Sequence, residues 1–165
     1  MPQHNHHTSP FPKNTHPLIV VCDTLQSPAN IGAVFRLCDA FGVAEVIFNQ
    51  AIDFSSNRLR RTARNTEMTV KHTISKDIPT TISSYQKKGY VVVALEISEN
   101  SVPVSAITSL AKNKTILVIG NERNGISERI LELANHVVHI TMHGTNSSMN
   151  VAQATAIALY ELTKP

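Results

Sequence analysis

The sequence predicts an α/β fold, a mostly parallel six-stranded sheet with helices on both faces, and three observations predict it. After Pro17, short β-branched runs alternate with helix-length amphipathic stretches. Most of those runs are continuously apolar, as strands buried on both faces of a parallel sheet require. A length of 165 residues with 42% apolar content is enough for one core and leaves no room for a second catalytic domain. Aromatic residues are only 5%, so that core is aliphatic, and a charged share of 16% argues against disorder.

Along the chain, residues 1–17 carry Pro2, Pro10, Pro12 and Pro17 with His4, His6, His7 and His16 and no periodicity, which reads as a flexible leader before a domain over 18–165. Strands are expected at Leu18–Cys22, Glu45–Phe48, Met68–His72, Tyr90–Leu95, Thr115–Ile119 and His136–Ile140. Helices are expected between them at Asn30–Phe41, Ser56–Arg64, Ile78–Lys88, Val104–Ala111 and Ser127–Ala134, with a last one over Met149–Leu162. From Val151 to Leu162 only Gln153, Thr155 and Glu161 interrupt an apolar circumference. A terminal helix apolar all round needs cover on every side, and a homodimer interface supplies it.

Composition excludes several classes. No run approaches the roughly 20 apolar residues of a membrane span, and the N-terminus lacks the apolar core of a secretory signal, so the expected location is the cytoplasm. Cys22 and Cys38 lack a C-x-x-C spacing and read as small buried hydrophobes. His136 and His139 point to opposite faces of a strand, so no metal site is expected. The net charge of +3 is mild, but Arg58, Arg60, Arg61, Arg64, Lys71 and Lys76 cluster against Glu67 alone.

Cofactor motifs are informative mostly by failing. The six glycines never form G-x-G, which removes a standard dinucleotide site. Gly120 and Gly125 have the glycine spacing of a phosphate loop, yet Ile126 stands where its lysine belongs and Glu122 repels phosphate. Three segments remain. Asn30 is expected to cap a helix that carries Gly32 and Arg36 on one face, with the bare Gly32 leaving room beside the guanidinium. The Gly120–Gly125 loop joins a strand to a helix capped by Ser127. Ser148 and Asn150 sit together at the entry to the last helix, where a simple cap needs only one of them.

Asn30, Gly32 and Arg36 as N-x-G-x-x-x-R, Gly120, Glu122 and Gly125 as G-x-E-x-x-G, and Ser148, Met149, Asn150 and Val151 as S-[LM]-N-V resemble, in this order, the SpoU/TrmH branch of the SPOUT RNA methyltransferases. The likeness covers nearly everything from Leu18 to Leu162. It implies S-adenosylmethionine as donor, a ribose 2′-hydroxyl of RNA as acceptor with tRNA ahead of rRNA, a homodimer through the first and last helices, and a C-terminal deep trefoil knot that threads Thr141–Ser148 under an earlier loop. Non-catalytic RNA binding and RNA base methylation are the alternatives.

The resemblance also implies residue roles. Leu95, Glu96, Gly120, Ile140, Met142, Ser148 and Asn150 would contact the donor. Arg36 would help remove the hydroxyl proton, as base or as phosphate clamp, with Asn30, Glu122, Ser148 and Asn150 completing the catalytic set. A guanidinium, with a pKa of roughly 12.5 or more, is a poor base without a phosphate or buried partner. Arg58, Arg60, Arg61 and Arg64 are the expected RNA contacts, since phosphate neutralisation supplies most of such affinity. The family's small-residue sequence after this basic helix is replaced here by Arg64-Asn65-Thr66-Glu67.

Overall fold

The computed structural model describes residues 12–164, so the His4, His6 and His7 part of the expected leader lies outside the described residues. The strands are β1 (His16–Cys22), β2 (Val43–Phe48), β3 (His72–Ile74), β4 (Val91–Leu95), β5 (Val102–Pro103), β6 (Thr115–Ile119) and β7 (His136–His139). The helices are α1 (Pro28–Ala40), α2 (Asn57–Ala63), α3 (Ile78–Gln86), α4 (Glu128–Leu131) and α5 (Val151–Leu162), with 3-10 segments over Thr66–Met68 and Val104–Lys112. The sheet runs β3-β2-β1-β6-β4-β7-β5, and every registered pair is parallel.

Alternation along each strand builds two cores. Val20, Cys22, Phe48, Leu117 and Ile119 face α1, α2, the Val104–Lys112 segment and α5, while Ile19, Val21, Ile47, Ile116 and Val118 face α3 and α4. The central strands therefore run continuously apolar over residues 18–22, 91–95 and 116–119 because both faces are covered, the pattern that the sequence displays. Burial pushes the Cys22 and Cys38 thiols well above the ordinary range, and both sit in the first core as inert apolar fillers.

Several boundaries differ from expectation, each for a local reason. Among the described residues there are seven strands rather than six, because Val102 and Pro103 add an edge strand too short to leave a pattern, with proline at an edge where it costs least. The Met68–His72 strand is displaced to His72–Ile74. Arg64 and Asn65 both take left-handed backbone (φ 55° and 71°), which turns the chain through a 3-10 step and leaves Met68 81% exposed. The first strand begins at His16 rather than Leu18, since the His16 N–H donates to the Gly42 carbonyl (2.8 Å) and joins β1. The expected helix over Val104–Ala111 is 3-10 with a kink at Ile107, and the one over Ser127–Ala134 shrinks to a single turn.

One cap assignment changes, and one left open is decided. Ser27, not Asn30, caps α1: its Oγ accepts from the Asn30 N–H (3.4 Å), with Pro28 in the first turn. Asn150 caps α5, accepting from the N–H groups of Ala152 (2.9 Å) and Gln153 (3.3 Å). Within the chain α5 buries Ala152, Thr155, Ala158, Leu159 and Leu162, and leaves Ile157 and Tyr160 exposed. Among the described residues, no helix is long and apolar enough to cross a membrane.

Candidate active site

Parallel strands deliver their following loops to one edge, and there the loops after β4, β6 and β7 and the entry to α5 enclose an open cleft of about 740 Å³. Leu95, Glu96 and Gly120 line it from the ends of β4 and β6. Ile140, Met142, Ser148 and Asn150 line it from the segment that leads into α5. Asn30 and Glu122 reach it as well, so all the donor-contact candidates and four of the five catalytic candidates meet at one place.

A chain of hydrogen bonds joins the three motifs. Because Ser27 does the capping, the Asn30 side chain is released from the helix end. Its Nδ2 donates to Glu122 Oε1 (3.0 Å), while its Oδ1 accepts from Asn150 Nδ2 (3.0 Å). Glu122 also accepts from the N–H groups of Ser27 (2.9 Å) and Gln26 (3.2 Å). Burial pushes the Glu122 carboxyl up, but these donors, led by Asn30, outweigh it and hold the group below its usual range. Glu122 is thus an anionic tie, and Asn150 both starts α5 and fixes Asn30.

The glycines serve the loop itself. Asn121 and Gly125 exchange backbone hydrogen bonds (2.9 and 3.0 Å), closing the loop on itself. Gly125 has φ +66°, and a Cβ there would collide with the Glu96 carboxylate. That carboxylate accepts from the N–H groups of Ile126 (3.0 Å) and Ile97 (3.0 Å), so Glu96 braces one cleft wall against another. Ser127 makes no side-chain cap for α4. Its own N–H instead donates to buried Asp23 at the end of β1 (2.7 Å).

Arg36 stands apart. It is exposed on α1, forms no ion pair among the described residues, and does not line its own chain's cleft. The room expected beside it at Gly32 is absent, because Gly32 is where α2 crosses: a Cβ would collide with the Leu59 carbonyl and Thr62 Oγ1. Arg58, Arg60, Arg61 and Arg64 are all exposed on or just after α2 and form no ion pair among the described residues. His136 is exposed, whereas His139 lines the cleft with its Nδ1 2.9 Å from Ser101 Oγ. Among the described residues, no group of three or more His, Cys, Asp or Glu side chains is placed to hold a metal ion.

The family model of the SpoU rRNA Methylase family matches residues 17–160, nearly the whole described chain and all three segments around the cleft. The chain belongs to the SpoU family. It is 30% identical over 152 residues to the tRNA (guanosine(18)-2'-O)-methyltransferase of Aquifex aeolicus (strain VF5), covering 90% of this chain and 70% of that protein. The crystal structure of the A. aeolicus TrmH/SpoU tRNA modifying enzyme superposes with a TM-score of 0.82 at 29% identity, over 92% of this chain and 76% of that one. The SpoU methyltransferase AviRb from Streptomyces viridochromogenes, in complex with the cofactor AdoMet, gives 0.75 at 27% identity, over 99% and 62%.

Some parts of this SpoU-family cleft escaped sequence reasoning. Asp23 supports the β6–α4 turn from a different strand, and its only sequence signal is an acid at the end of an apolar run. Asn121 holds the loop through its side chain, accepting from Arg123 N (2.9 Å) and Asn124 N (3.1 Å) and donating to the Thr24 carbonyl (2.7 Å). The link of His139 to Ser101 depends on the β5–β7 pairing, which leaves no mark in the local sequence.

Proposed function

We propose that this chain transfers a methyl group from S-adenosylmethionine to a ribose 2′-hydroxyl of RNA, in the cytoplasm and on tRNA ahead of rRNA. The observation that carries it is the Glu122–Asn30–Asn150 relay, which binds three sequence-distant motifs into one wall of a cleft at the strand ends. The cleft suits the donor. Leu95, Ile119, Ile140 and Met142 offer an aliphatic wall to an uncharged purine, strand-end main chain offers hydrogen bonds, and ionised Glu122 favours a cation nearby. When bound, the donor supplies an electrophilic methyl carbon on a positively charged sulfur.

The chain's own task is then alignment and proton removal. Asn30 and Asn150 are held rigid by their mutual bond and present the polar rim on which a ribose would be oriented. Ser148 is exposed at that rim, released from capping because Asn150 performs it. Arg36 lies outside its own cleft, so we assign it to the cleft of a second copy, in a homodimer formed through α1 and α5. The exposed Ile157 and Tyr160 on α5 support such a face. Residues 18–165 are assigned as the catalytic unit. A C-terminal trefoil knot also fits: Leu95 and Val102 are both registered opposite Val138, so residues 96–101 cross the end of β7, where the 140–150 segment leaves it.

The test is transfer of radiolabelled methyl from the donor to a tRNA transcript, followed by nucleoside mass spectrometry. Label in the sugar fragment is expected. Label in a base, or none with correctly folded protein, overturns the assignment. RNA affinity is assigned to α2. Changing Arg60 and Arg61 together to alanine is expected to weaken tRNA binding and to shallow the slope of log affinity against log salt by roughly 1 to 2. An unchanged slope would make these arginines a solvated helix face.

A further inference from the structure

Beside the arginines of α2 stands an aromatic ring that the core does not need. Phe54 is 37% exposed, while Phe35 and Phe48 beneath it are buried and already pack on each other at 5.5 Å. The ring rests against His72 (5.1 Å between centroids) and Phe35 (6.0 Å), and the rest of it opens to solvent. His72 is itself held by its Nδ1 on the Val70 carbonyl (3.2 Å). The turn is stiffened by Asp53, whose carboxylate accepts from Ser55 N (2.9 Å) and Ser55 Oγ (2.6 Å), and Ser56 then caps α2 just before Arg58.

This segment is also tied to the cleft. Asn49 Oδ1 accepts from Thr24 N (3.0 Å) and Gln50 Nε2 donates to the Leu25 carbonyl (2.5 Å), in the loop that leads to Asn30. The 49–56 segment leaves β2 at the same sheet edge as the cleft, two strand steps from β6, or roughly 10 Å at about 4.8 Å per step. A nucleic acid whose phosphates meet the α2 arginines therefore passes the ring on its way to Asn30 and Asn150.

We propose that Phe54 is a stacking platform for an unpaired base of the RNA substrate. The inference rests on the RNA-methylation reading and deepens it, by assigning selection of looped over duplex RNA to a flat apolar surface. Bases in a duplex hide their faces in the stack, whereas a loop base splayed outward offers its face to an aromatic side chain. Such contacts tolerate any base and combine with cationic side chains along the backbone. A leucine would cover Phe35 equally well but would present no plane, which separates stacking from simple core cover.

The protein contains no tryptophan, so Phe54→Trp installs a single indole reporter. Its emission is expected to be quenched as a tRNA transcript is titrated in, and to stay unchanged with a blunt RNA duplex of matched length. Phe54→Leu is expected to melt as the parent does and to bind the tRNA transcript about fivefold more weakly or worse, with duplex affinity unaltered. Unchanged emission while filter binding shows the transcript bound, or unaltered tRNA affinity in Phe54→Leu, overturns the platform and leaves the enzymatic reading standing. Failure of the parent protein to bind the transcript at all overturns both. Should the leucine variant unfold, the tryptophan reporter decides alone.

Discussion

Replacing Arg36 with alanine is expected to lower methyl transfer by a factor of about 100 or more while leaving donor affinity unchanged in calorimetry. The magnitude is that of losing a positioned group from proton transfer. Donor affinity is spared because the residues assigned to the donor, Leu95, Glu96, Gly120, Ile140, Met142, Ser148 and Asn150, are all untouched. Its assignment to a second copy makes a sharper experiment available. If Arg36 serves the partner's cleft, mixing Arg36→Ala with Asn150→Ala protein yields heterodimers with one doubly defective cleft and one intact cleft, so activity returns. If Arg36 serves its own cleft, each cleft in the mixture keeps one defect and activity stays low. Full turnover in the Arg36→Ala protein alone would remove it from the reaction.

The second large effect is expected at Glu122. Its carboxylate collects the Asn30 side chain and two backbone N–H groups, so Glu122→Gln keeps the volume but turns an NH₂ donor toward a nest of donors. Asn30 then loses its anchor, and Asn150 with it. Methyl transfer is expected to fall about 100-fold, the usual consequence of a reacting group misplaced by an ångström, with a smaller loss of thermal stability. The sign of the pH dependence follows from the lowered pKa. The tie contributes stability fully above the ordinary carboxylate value of 4.5 and loses it as pH falls through the lower folded value. The parent protein should therefore loosen in acid, below about pH 4.5, and Glu122→Gln should show less of that acid sensitivity in thermal melts across pH. A variant with parental activity would reduce Glu122 to a loop residue.

Much of the site was legible because its chemistry is local in sequence. Asn30, Glu122 and Asn150 each stand in a short polar turn at the edge of an apolar run, where a strand ends and a helix begins. Caps were less legible, since neighbouring residues compete for one geometric role. Ser27 outbid Asn30 because Pro28 suits the first turn, and Asn150 outbid Ser148. The glycines misled in an instructive way. Gly32 reads in sequence as space for a guanidinium but is space for a helix, and no one-dimensional pattern says which element fills a missing side chain.

The sequence by itself determined the class of fold and the existence of three motif-bearing turns, because burial on both sheet faces and changes of period are written residue by residue along the chain. Tertiary structure decided the rest: the two-residue edge strand, the Asp23 and Asn121 supports, the seat of Phe54, and the fact that one asparagine amide joins all three turns. Those depend on contacts between residues distant in sequence, from 18 positions for Phe54 and His72 to 120 for Asn30 and Asn150. Such contacts follow from which strands become neighbours in a crossed-over sheet, and strand order is a property of the whole core rather than of any segment.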